Sequence, residues 1–158
     1  MGAIGDDPTG ASLAERVRGR RVYFDANVFI YALEGEHAVR AEVHPLFNAL
    51  DAGEAEAVTS EMTLAEALVM PYRLGQAEVA ARYERLMAPK PGLTRVPATG
   101  TLWRAAARLR ASAPSLRLPD ALHAATAEAE RCALLVTGDR RLAKASPVPV
   151  ALVATPAV

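Results

Sequence analysis

A chain of 158 residues, about half of them hydrophobic and few aromatic, is long enough for one domain with a real core and short for two. Its formal net charge is zero, which excludes a polycation that coats nucleic acid by bulk electrostatics; any such contact must come from a local basic patch. The one cysteine, Cys132, excludes an intramolecular disulfide and a cysteine-based zinc site. With no secretory pattern in Met1–Gly10 and no apolar run of membrane-spanning length, a soluble cytoplasmic domain is expected.

Residues 1–20 read as a flexible tail and a short basic lead-in, and 21–158 as a single domain. Val22–Phe24 is a short β-prone run ending in Asp25, with Asn27 two residues on and a helical pattern over Asn27–Leu33. His37–Leu50 has helical spacing interrupted by Pro45, and Glu56–Ser60 reads as a second strand. Glu61–Leu74 is expected to be a helix that Pro71 kinks or ends early, followed by a helix over Gln76–Met87 that Pro89, Pro91 and Gly92 stop. Leu93–Val96 is a third strand. Thr99 or Thr101 can cap a helix running to about Ala111, with Trp103 in the core. Pro119 opens an alanine-rich helix, Asp120–Arg131. Ala133–Val136 is unbroken apolar, as suits a central parallel strand, and runs into Thr137–Gly138–Asp139. A short helix, Arg140–Ala145, and an edge strand over Val148–Val153, broken at Pro149, complete an α/β domain with a mostly parallel sheet.

Four acids are expected at one edge of that sheet. Asp25 and Asp139 follow strands directly, Glu66 lies in the second turn of a helix after a strand, and Asp120 starts a helix that runs back before a strand. Open α/β sheets bind ligands outside the carboxyl ends of their strands. Clustered carboxylates repel unless a cation sits between them, and Mg²⁺ or Mn²⁺ prefers such hard oxygen donors. A metal there lowers the pKa of a bound water and stabilises charge on a phosphodiester. Asn27 can fix Asp25; Ser60 or Thr137 can hold a carboxylate or phosphate oxygen; Arg117, Arg140 and Arg141 can grip a nucleic-acid backbone. All basic residues but Lys90 and Lys144 are arginine, which suits phosphate, though GC-rich coding yields the same skew.

Each acid has a plainer reading. Asp25, Asp120 and Asp139 can be turn or cap residues, and Glu66 can lie on a solvated helix face. Glu61 competes with Glu66 but sits in the first turn, where the helix dipole explains it. His123, three residues after Asp120, reads as a packing or hydrogen-bonding residue rather than a ligand, and His37 and His44 as surface residues.

The stretches VYFDANVFIYAL, TSEMTLAEAL and LPDALHAATAEAERCALLVTGD, in that order, resemble the PIN domain, and most closely the VapC toxins of bacterial toxin–antitoxin pairs. The resemblance covers about Arg21 to Val153. It implies a three-layer α/β/α sandwich around a parallel sheet and a Mg²⁺- or Mn²⁺-dependent endoribonuclease. Asp25, Glu66, Asp120 and Asp139 would be its catalytic and metal-holding acids, with Asn27, Ser60 and Thr137 in support. It also implies a homodimer and a small VapB-type antitoxin whose tail blocks the acidic site. Where many relatives carry Asn and a later acid, this chain has Asp139 followed by Arg140 and Arg141, so no fifth ligand is expected and Asp139 acts directly or through water.

Three alternatives stand beside this. A haloacid-dehalogenase-type phosphatase also begins with an Asp after its first strand, but needs a second Asp where Asn27 stands and a nearby lysine. A PIN-like module that only binds RNA or protein would be expected to lose acids, and none is lost. Ribosomal-RNA-processing nucleases share the fold, though the short chain favours the toxin.

Overall fold

Three consecutive residues of the first strand, Val22, Tyr23 and Phe24, have no solvent exposure, because both faces of the strand are covered. In a computed structural model that describes residues 10–154, this strand, β1 (Arg21–Phe24), is the middle of a sheet. Its partners are β2 (Glu56–Ser60), β3 (Leu93–Val96), β4 (Leu134–Thr137) and β5 (Val150–Leu152). All pair in parallel, in the order β3-β2-β1-β4-β5. Tyr23 lies level with Val58 on one side and Leu135 on the other.

Alternation along each strand divides the core in two. Val22, Phe24, Ala57, Leu134 and Val136 face α1 (Leu13–Val17), α2 (Ala26–Glu34), α3 (His37–Asp51), α4 (Glu61–Arg73) and α5 (Ala77–Leu86). Tyr23, Val58, Leu135 and Val150 face α6 (Gly100–Ser112), α7 (Leu118–Ala129) and α8 (Arg140–Ala145). This is the expected three-layer sandwich, with every strand parallel. Ala121, Ala124, Ala125 and Ala127 are buried in the second layer, and their small side chains let α7 lie close to the sheet.

The chain builds outward from β1 to β3, then returns to the other side of β1 for β4 and β5. The switch point therefore lies between the carboxyl ends of β1 and β4, where an open sheet splits to form a crevice.

Several local expectations change. Within the stretch read as tail and lead-in, Leu13–Val17 is a helix: Ser12 and Glu15 form a capping box, and Leu13 and Val17 are buried. Residues 1–9 of that tail lie outside the described residues. Pro71 does not end α4, because its ring is buried in packing. The helix stops instead at Gly75, whose φ of 65° is left-handed, with the Gln76 N–H donating to the Pro71 carbonyl at 2.8 Å. Helix α7 starts at Leu118, so Pro119 stands second rather than first. Trp103 is exposed, not core, because α6 packs through Ala106 on its other side. Among the described residues no helix is long and apolar enough to cross a membrane.

Candidate active site

Asp25 sits at the switch point. The chain leaves β1 extended and enters α2, so Asp25 is the N-cap, accepting the Asn27 N–H at 2.9 Å. Its other carboxylate oxygen accepts the Thr137 hydroxyl from the end of β4, and the Asn27 amide lies 3.5 Å away. The capping role expected on plain grounds is thus real, but the carboxyl is also only 4 % exposed and has no cationic hydrogen-bond partner among the described residues. Burial pushes its pKa up to about 6, with Glu66 adding to the rise and His123, Thr137 and Asn27 opposing it.

Asp139 lies two residues past Thr137 and caps α8. Its N–H donates to the Thr137 hydroxyl oxygen at 2.9 Å, so one threonine ties the two aspartates together. The carboxylate accepts the Arg141 N–H at 2.8 Å and the Arg141 guanidinium at 3.3 Å. Burial works against its ionisation, but these bonds outweigh it and hold the carboxyl below its ordinary range.

Glu66 is positioned from the opposite layer. His123 of α7, 3 % exposed, places Nε2 at 2.8 Å from the Glu66 carboxylate and Nδ1 at 2.8 Å from the Tyr23 hydroxyl. Ser60, the N-cap of α4, accepts both the Thr63 N–H at 3.2 Å and the Tyr23 O–H at 3.0 Å. With the Tyr23 proton committed to Ser60, His123 must donate from Nδ1. Its Nε2 faces a carboxylate and needs a proton too, so the pair is imidazolium and carboxylate. Burial opposes that charge, yet Tyr23, Glu66 and Asp25 together raise the His123 pKa to about 10.

Asp120, in the first turn of α7, is buried and accepts the Arg117 N–H at 3.2 Å and the Arg117 Nε–H at 3.3 Å. The acids couple electrostatically in two pairs: Glu66 acts on Asp25, while Asp120 and Asp139 communicate through their arginines, Arg117 acting on Asp139 and Asp120 on Arg141. They do not form one tight centre. Among the described residues no three carboxylate, imidazole or thiol groups close around a point as a metal ion requires. The physical reason is that three of the acids are turned toward cations of the chain itself: Glu66 to His123, Asp120 to Arg117, Asp139 to Arg141. The donor chemistry nevertheless fits a hard divalent cation, since Asp25 is a buried carboxylate disfavoured by burial and by Glu66.

Of the supporting groups, the Thr137 hydroxyl and the Asn27 N–H bond Asp25, whereas Ser60 bonds no carboxylate among the described residues and instead anchors Tyr23. Arg140 is exposed. Glu61 pairs with Arg95 at 3.0 Å. His37 and His44 are exposed. Two residues escaped sequence reasoning. Tyr23 read only as part of an apolar strand, though a buried tyrosine needs a partner for its hydroxyl. Tyr31 read only as helix, yet the charges of Asp25 and Asp139 both act on it.

The PIN domain family matches residues 22–146. No curated protein matches the chain. Among solved structures, VapBC2 from Rickettsia felis, bound to a promoter DNA fragment, is 17 % identical with a TM-score of 0.63, covering 84 % of this chain and 98 % of that one. VapC20 of Mycobacterium tuberculosis, a toxin that cleaves the sarcin–ricin loop, is 14 % identical with a TM-score of 0.59, covering 72 % and 86 %. A toxin–antitoxin complex from Klebsiella pneumoniae is 23 % identical with a TM-score of 0.55, covering 75 % and 86 %. The family match runs from β1 through α8 and takes in all four acids of the edge: the chain belongs to the PIN domain family.

Proposed function

We propose that the chain is a divalent-metal-dependent endoribonuclease, the toxin of a toxin–antitoxin pair. The observation that carries this is Asp25, a buried carboxylate with no cationic hydrogen-bond partner among the described residues, at the strand switch point of a PIN-family chain. Asp25, Glu66, Asp120 and Asp139 would hold Mg²⁺ or Mn²⁺, which when bound supplies a lowered water pKa and charge stabilisation on phosphate. Thr137 and Asn27 orient the Asp25 carboxylate, and the Tyr23–His123 chain orients Glu66. Arg117, Arg140 and Arg141 lie beside these acids in sequence and can bind RNA phosphates. The toxin-containing structural neighbours favour a cognate antitoxin over a solitary nuclease, and a homodimer belongs to the same proposal.

The test is calorimetric titration of Mn²⁺ into the protein and into Asp25→Asn, followed by incubation of each with total cellular RNA. The reading expects Mn²⁺ binding that the variant loses, and discrete RNA fragments from the parent alone. Absence of both would leave a partner-binding module as the better account, and metal binding without RNA cleavage would move the reading to another phosphoryl substrate.

A further inference from the structure

The donors seen so far around the four acids are engaged within the chain. Thr137 and the Asn27 N–H donate to Asp25, His123 to Glu66, Arg117 to Asp120 and Arg141 to Asp139, and Tyr23 donates to Ser60. The Tyr31 hydroxyl is different: it makes no hydrogen bond among the described residues. Its location is well defined. Tyr31 stands on α2, two turns after the Asp25 cap, half-buried, with its ring tip laid against Gly138 between Thr137 and Asp139. A Cβ built at Gly138 would come within 2.6 Å of the Tyr31 hydroxyl and 3.0 Å of Cε2, so a side chain there would displace the phenol. The backbone of Gly138 does not need glycine for its own conformation; close approach of the phenol is what favours it.

We propose that Tyr31 contacts the substrate, its phenol donating a hydrogen bond to a non-bridging oxygen of the phosphodiester held at the acidic edge. The inference rests on the ribonuclease reading of that edge. A neutral donor suits this position. An arginine placed between Asp25 and Asp139 would be captured by them, as Arg141 is, whereas a phenol stays available to an incoming anion. A phenol ordinarily ionises at about 10, so at neutral pH it keeps the proton it must donate. The aromatic ring has only two side-chain torsions and stands on a helix that Asp25 itself caps, so acid and donor are held in one frame.

Tyr31→Phe keeps the ring and removes the donor. With Mn²⁺ and an end-labelled RNA oligonucleotide of randomised sequence, kcat/KM is expected to fall roughly tenfold or more, as for loss of a hydrogen bond to a charged group. Mn²⁺ affinity by calorimetry and the melting temperature should not change, which separates a substrate contact from a structural role. Gly138→Ala, which displaces the phenol, should lower kcat/KM in the parent and have little further effect in Tyr31→Phe. Cleavage by Tyr31→Phe at the parent rate would overturn the contact while leaving the ribonuclease reading intact. An equal loss from Gly138→Ala in both backgrounds would also overturn it. A parent protein that cleaves no RNA would withdraw both readings together.

Discussion

Asp25→Asn should make the metal-free protein more stable, which is the reverse of the usual effect of altering a buried site residue. Asp25 ordinarily ionises near 3.8 and here near 6, because burial disfavours its charge. A carboxyl whose folded-state pKa is raised loses stability as pH rises: the penalty is absent below 3.8, grows between 3.8 and 6, and is complete above 6. The gap corresponds to about 3 kcal/mol at pH 7. The group is 4 % exposed, so solvent screening removes little of this. The amide keeps one acceptor oxygen where the carboxylate had two. One of the two donors, Asn27 N–H or Thr137 O–H, therefore loses its acceptor, at about 1 kcal/mol. A net gain of about 2 kcal/mol remains, or roughly 4–8 °C in melting temperature for a chain of this size. Thermal unfolding of both proteins in EDTA, from pH 4 to pH 7.5, measures it. The difference should be near zero or slightly negative at pH 4 and positive above pH 6. Saturating Mn²⁺ should then stabilise the parent and not the variant. A variant less stable than the parent at pH 7, or a difference that does not vary with pH, would refute the reasoning.

Other substitutions test separate parts of the same structure. Tyr23→Phe leaves His123 Nδ1 and Ser60 without their shared hydroxyl and should cost about 1–3 kcal/mol in urea unfolding; no loss would mean that the hydroxyl is not part of a bonded chain. Leu135→Ala, in a strand covered on both faces, should cost about 2–5 kcal/mol by the same measurement. Ala124→Leu should destabilise by at least about 1–3 kcal/mol, because α7 rests on the sheet through its small side chains; a neutral result would show slack there. Arg141→Ala frees Asp139 from its cation and should tighten Mn²⁺ binding up to about fivefold by calorimetry, the scale of a partly exposed ion pair; unchanged affinity would remove Asp139 from the metal-holding set.

The sheet was legible because its signals are local. Ala133–Val136 reads as an interior strand from its unbroken apolar run, and Asp25 and Asp139 read as edge residues because each follows a strand directly. What escaped was either too short or too distant in sequence. Helix α1 has five residues, fewer than any periodicity window needs, although Ser12 and Glu15 carried a capping signal. Trp103 was assigned by its size, yet a helix that meets its neighbour through alanine leaves a large ring outside. Glu66 and His123 are 57 residues apart, and no spacing rule reports their pairing. Sequence reasoning expected four acids on one edge, but not the basic groups that Glu66, Asp120 and Asp139 would face.

Those basic groups determine which acid matters most. Arg117 and Arg141 have side chains 64 % and 56 % exposed, so their pairs with Asp120 and Asp139 contribute little and are released at little cost. The His123–Glu66 pair is more deeply set, with the imidazolium 4 % exposed and anchored through Tyr23 to the start of α4, so it serves better to aim Glu66 than to yield it. Asp25 alone carries an unfavourable charge that only neutral donors offset by direct bonds. If the proposed divalent cation binds at this edge, Asp25 would be its most favoured ligand, and Asp120 and Asp139 would be the acids most easily released from their arginines to join it. Release of Arg117 and Arg141 at that moment would leave two guanidinium groups free beside the anion to be cleaved. The same ion pairs that keep the acids apart without metal would thus supply phosphate-binding groups once metal is present.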